Sequence, residues 1–108
     1  MLQKLTDQGV VCTVTDQIDP HDDFDIFYVN RLQQERFADA ALFEENRKKY
    51  RLTRELVEGS DCLILDPLPR IDEIDTTVDT LPNALYFKQA SYGVPVRMAL
   101  LSMLLKKN

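Results

Sequence analysis

A chain of 108 residues with 29% charged and 44% apolar side chains is one domain at most, with the composition of a globular fold in water. Its formal charge of -5 argues against a nucleic-acid or polyanion surface, so an anionic ligand needs local arginines to draw it in. No stretch reaches the length of a membrane span, and the start from Met1 to Asp7 lacks the apolar core of a signal peptide, which makes the cytoplasm the default compartment.

In chain order, Leu2 to Gln8 reads as a helix with Gly9 as its C-cap. Val10 to Thr15 alternates and is β-branched, the pattern of a strand. Asp19 before Pro20 has the chemistry of an N-cap and first-turn pair, and His21 beside them reads as a surface residue of a polar run. Phe24 to Asn30 contains the apolar run Ile26-Phe27-Tyr28-Val29, which predicts a parallel strand covered on both faces. Ala38 to Lys49 predicts a helix whose last turn, Arg47-Lys48-Lys49, suits the dipole. Thr53 can cap a short helix to Glu58, closed by Gly59. Cys62 to Leu65 predicts a second buried strand, Ala84 to Phe87 a weaker one, and Pro95 to Lys106 a helix.

Alternating helices and short apolar strands imply an α/β fold, a parallel sheet flanked by helices in the Rossmann-like manner. Cys12 and Cys62 lie in apolar runs and are expected to be buried thiols. With one histidine no Cys/His cluster has metal spacing, and with three glycines no phosphate-cradling loop is present. The last helix carries Val96, Met98, Leu100, Leu101, Met103, Leu104 and Leu105 nearly all round. Such a helix is normally buried, and a chain this small has little to bury it with, which implies missing chain or a partner.

Two segments carry candidate chemistry. Arg31 and Gln33 follow the strand ending at Val29, and in an extended chain they point the same way. A guanidinium matches a carboxylate, and a primary amide adds a donor or acceptor. The bland reading is a solvated arginine starting a helix. Glu35, four residues after Arg31, is in reach of it if the chain turns helical, as an orienting carboxylate or an ordinary surface pair. The second segment, Asp66-Pro67-Leu68-Pro69-Arg70-Ile71-Asp72-Glu73-Ile74, directly follows a strand. Its prolines remove backbone donors and fix φ, so it serves either as a rigid turn or as a holder of carbonyl oxygens. Ligands of open α/β sheets bind at the carboxyl ends of strands, where both segments lie.

These runs, with Tyr86-Phe87-Lys88-Gln89-Ala90 and Gly93-Val94-Pro95-Val96 leading into Arg97, resemble the C-terminal part of the aspartate carbamoyltransferase catalytic chain. The resemblance covers most of the chain and implies an incomplete aspartate-binding domain over residues 1–90. The helix of 91–108 is then expected to pack on a carbamoyl-phosphate-binding domain that has no counterpart here. It implies that Arg31 and Gln33 bind L-aspartate and that the carbonyls of Pro67 and Leu68 take the carbamoyl amide. Glu35 and Glu73 support Arg31 from behind, while Arg97 is read as a structural salt bridge at the hinge between the halves and not as catalytic. The Leu68-Pro69 bond is expected to be cis on the same ground.

No cofactor is implied. Partners are the two substrates, the other domain or chain, and copies of the chain, a trimer in the family. The family usually has histidine where Asp66 stands, so Asp66 is expected to pair with Arg70 or to turn away from substrate. The Ser-x-Arg-Thr loop and the His-Pro-x-Gln segment that serve carbamoyl phosphate in the family are absent, so no catalytic residue is assigned and the chain is expected to be inactive alone. The alternatives are a non-catalytic relic or regulatory module of the same fold, and a transferase for another amino acid.

Overall fold

The fold is described from a computed structural model, for residues 2–17 and 24–106. The helix start at Asp19-Pro20 and the surface assignment of His21 lie outside the described residues. Helix α1 (Leu2–Thr6) leads through a turn in which Gly9 adopts φ +81°. Strand β1 (Ile26–Tyr28) is followed by an extended segment and a 3-10 turn at Gln34–Arg36. Helix α2 (Ala40–Lys49) is capped by Asp39, whose carboxylate accepts from the Ala41 N–H at 2.8 Å. Helix α3 (Arg54–Val57) ends near Gly59 at φ +86°, and strand β2 (Leu63–Leu65) follows. A 3-10 turn (Thr76–Thr80) precedes α4 (Tyr86–Ser91) and α5 (Gly93–Leu105).

The strands β1 and β2 pair in parallel with Phe27 opposite Ile64, the crossover carrying α2 and α3. Ile64 is fully buried and is bonded on its other side to the segment Asn83–Leu85. Leu52, Val57, Cys62, Ile74, Val78 and Tyr86 close round it as the core, with Phe27 and Val29 packed against them. The predicted α/β architecture of a parallel sheet flanked by helices is therefore present. Its two strand ends are held in register, and both open on one side.

Several expectations are corrected. Val10 to Thr15 is not a strand. Among the described residues it has no ladder partner, and Val11 is 93% exposed, because β-branched pattern makes a strand only beside another strand. Cys12 is accordingly half-buried, while Cys62 is buried as expected. Strand β1 is covered on one face only, leaving Ile26 and Tyr28 exposed. Ala84 forms a single bridge to Ile64, after which the chain turns into α4. Thr53 sits at the N-cap of α3 without a side-chain cap bond.

Helix α5 is exposed all along its length, with Leu104 at 81%. The radius of gyration is 17.2 Å, against about 13 Å for a compact domain of this length. No helix among the described residues is long and apolar enough to cross a membrane.

Candidate functional site at the strand ends

Both strands hand their chains to one cleft of about 720 Å³. One wall is the segment after β1, with Asn30, Arg31, Gln33 and Arg36. The other is the loop after β2, with Asp66, Pro67, Leu68 and Glu73. Parallel pairing causes the meeting, because it puts the carboxyl ends of β1 and β2 side by side. Gln33 keeps extended angles (φ -89°, ψ 101°), which preserves the two-residue alternation from Arg31. Arg31 is exposed, and Gln33 and Leu68 are half-buried.

Five of the six expected site residues thus share one cleft: Arg31, Gln33, Pro67, Leu68 and Glu73. Glu35 lies in an adjoining depression that it shares with Arg31, Arg47 and Asp72. Among the described residues no ion pair joins Glu35 to Arg31, since the turn at Gln34–Arg36 starts too late to stack the two along a helix face. Glu73 is buried and does not reach for Arg31. Its Oε2 accepts from the N–H groups of Ile71 at 2.8 Å and Asp72 at 2.9 Å, fixing the far end of the loop.

The loop 66–73 has almost no ladder bonds and is held by side chains. Asp66 N–H donates to Gln89 Oε1 at 3.1 Å, and Leu68 N–H donates to Asp66 Oδ1 at 2.6 Å. The Leu68-Pro69 bond is cis, and Leu68 has φ +51°. Arg70 points away from Asp66. It forms a forked pair with Asp79, one bond at 2.7 Å, and stacks over the rings of Tyr86 and Phe87 at 5.5 and 5.6 Å. The expected Asp66–Arg70 pair is therefore absent, and Asp79 takes the guanidinium.

The charges follow these contacts. Hydrogen bonding to Arg70 holds the Asp79 carboxyl below the usual range, and burial pushes the Tyr86 phenol up to about 12. Burial pushes the Asp66 carboxyl up, with the neighbouring Glu73 charge adding to it against the Leu68 N–H and Arg70. Among the described residues no cluster of metal-ligating side chains occurs. Arg97 folds back over Gly93 and makes no ion pair among the described residues.

Arg36 and Asn30 are cleft residues that sequence reasoning missed, although Arg36 directly follows Glu35. Its period from Gln33 was the available signal, because one 3-10 turn returns residue i+3 to the same side. The brace of Gln89 on Asp66 has no local signal, since 23 residues separate the two.

Comparisons with known proteins bear on this cleft. Residues 1–104 match the family model for the aspartate/ornithine carbamoyltransferase Asp/Orn-binding domain. The chain is 52% identical over 90 residues to the aspartate carbamoyltransferase catalytic subunit of Methanocaldococcus jannaschii, covering 83% of this chain and 29% of that one. It is 44% identical over 108 residues to the corresponding subunit of Methanothermobacter thermautotrophicus, covering 99% of this chain and 35% of that one.

Among solved structures, the catalytic subunit of M. jannaschii aspartate transcarbamoylase superposes with a TM-score of 0.91 at 44% identity, covering 99% of this chain and 36% of the other. The Trypanosoma cruzi enzyme in complex with N-(phosphonacetyl)-L-aspartic acid superposes with a TM-score of 0.76 at 34% identity, covering 93% and 33%. The chain spans about a third of the length of these relatives.

Proposed function

The chain belongs to the aspartate/ornithine carbamoyltransferase family, through the Asp/Orn-binding domain, and from that we propose that it is the aspartate-binding part of an aspartate carbamoyltransferase. The reaction is carbamoyl transfer to the α-amine of L-aspartate, an early step of pyrimidine synthesis. The amine lone pair attacks the carbamoyl carbon, a C–N bond forms, the C–O bond to phosphate breaks, and the amine loses a proton. No cofactor is needed. Catalysis of this kind rests on positioning and on stabilising developing charge.

The observation that carries the reading is the joining of Arg31 and Gln33 to Pro67 and Leu68 across one cleft. Arg31 takes a carboxylate of aspartate in its planar fork, and Gln33 adds a neutral hydrogen bond. The carbonyls of Pro67 and Leu68 accept from the carbamoyl NH₂ group. Glu73 serves by holding that loop, and Glu35 acts on Arg31 from the depression they share. The T. cruzi relative has been solved with carbamoyl phosphate and with aspartate, and the same ligands are proposed here.

Residues 1–90 form the aspartate-binding portion, and 91–108 supply the helix that packs on a carbamoyl-phosphate-binding domain or chain. The exposed apolar length of α5 supports this division. Cytoplasmic location and assembly with further copies, a trimer in the family, are part of the same proposal.

The test supplies the carbamoyl-phosphate-binding half of a relative in trans and follows N-carbamoyl-L-aspartate. Product is expected only when both halves are present, and Arg31→Ala abolishes it. Turnover by this chain alone contradicts the division of labour. No product from a demonstrated complex of the two halves favours the non-catalytic module, for which Asp66 in place of histidine is the supporting observation.

A further inference from the structure

Asp66 departs from the usual residue at its place, and the structure gives it a task. Leu68 carries the one backbone N–H between Pro67 and Pro69, because proline has none. That N–H ends on Asp66 Oδ1 at 2.6 Å. Leu68 also holds φ +51°, the left-handed region that a residue with a Cβ rarely adopts without help from its surroundings. Asp66 is itself pinned, the residue 2% exposed and its N–H donating to Gln89 Oε1 on α4. Its second oxygen, Oδ2, is buried with no partner among the described residues. An aspartate or asparagine bonds the backbone two residues on as part of its ordinary turn chemistry, and a histidine does not belong to that class.

We propose that Asp66 is a positioning residue of the cleft: through Oδ1 it captures the Leu68 N–H and so holds the left-handed turn that sets the directions of the Pro67 and Leu68 carbonyls. The inference rests on the carbamoyl-binding role given to those carbonyls above. The task needs an acceptor and not a charge, since Oδ2 is unpaired and the Glu73 carboxylate lies near while Arg70 is committed to Asp79. Asparagine therefore serves in its place, and alanine does not.

The test uses the whole chain labelled with 15N-leucine. The Leu68 amide proton is expected far downfield, and its shift is expected to titrate with Asp66 at a midpoint above the ordinary carboxylate range. Hydrogen exchange at Leu68 quickens by about tenfold in Asp66→Ala and stays within about threefold in Asp66→Asn, the scale of one net hydrogen bond. Binding of N-carbamoyl-L-aspartate, measured with a carbamoyl-phosphate-binding domain supplied, follows the same order.

A Leu68 amide whose shift ignores the Asp66 titration overturns the proposal, and this readout needs no variant to fold. Equal binding by wild type and Asp66→Ala also overturns it while leaving the site reading intact. Absence of binding by the wild type with a carbamoyl-phosphate-binding domain supplied, while the Leu68 signature and the Asn rescue are present, overturns the site reading and supports the clasp.

Discussion

At the scale of single residues, buried and charged groups decide the behaviour of the loop walls. Arg70, Asp79 and Tyr86 form one unit under the cleft loop, the phenol of Tyr86 donating to Asp79 and its ring fully buried. Tyr86→Phe keeps the ring and removes that donor, so urea denaturation is expected to show a loss of about 1–2 kcal/mol. The pH dependence has two signs. Asp79 has a folded pKa below its ordinary 3.8, so its contribution is complete above that value and disappears as pH falls through the lower folded value. Asp66 is raised, so the fold favours its protonated form. The stability it contributes is present below 3.8 and is lost as pH rises through the raised folded value. Asp79→Asn is therefore expected to flatten the acid limb of stability, and Asp66→Asn to remove the opposing rise. Unfolding midpoints from pH 2 to 7 check both, and parallel acid limbs for wild type and Asp79→Asn contradict the assignment.

At the scale of elements, the turns and helix ends follow local chemistry, while the last helix depends on what covers it. Gly59 sits at φ +86° with no atom near its missing Cβ, so Gly59→Ala meets backbone cost alone, about 1 kcal/mol in thermal unfolding. Helix α5 contributes little to the core of this chain, because its apolar residues are exposed along it. Leu101→Gln with Leu104→Gln is expected to change unfolding stability by less than about 0.5 kcal/mol, yet to reduce self-association in sedimentation measurements. A large loss of stability contradicts the exposed placement of α5.

Legibility also divides at this scale. Helix α2, the two apolar strands and the all-round apolar helix were readable, because each depends on spacing within a few residues. Val10 to Thr15 misled, since its pattern states what a strand needs and not whether a neighbour is present. Ala84 to Phe87 misled for a related reason, as one bridge at Ala84 gives way at once to a helix.

At the scale of the molecule, parallel pairing of β1 with β2 makes a site from two segments more than thirty residues apart in sequence. Arg31 and Gln33 were legible as a pair and Pro67 with Leu68 as a loop. The cleft between them belongs to the sheet, and Gln89 and Asp79 brace its loop through folding that no local pattern records. The expected support of Arg31 by Glu73 took another form, because Glu73 spends its acceptor on the loop's own N–H groups.

The central claim is that this chain carries the aspartate side of a divided site. It is tested most directly by titration calorimetry with N-phosphonacetyl-L-aspartate, on the chain alone and with a carbamoyl-phosphate-binding domain supplied. Tight binding only in the presence of that domain, weakened about a hundredfold or more by Arg31→Ala, is the predicted result, the scale expected when one member of a buried charge pair is removed. Equal affinity for wild type and Arg31→Ala, or no binding with the domain present, contradicts it.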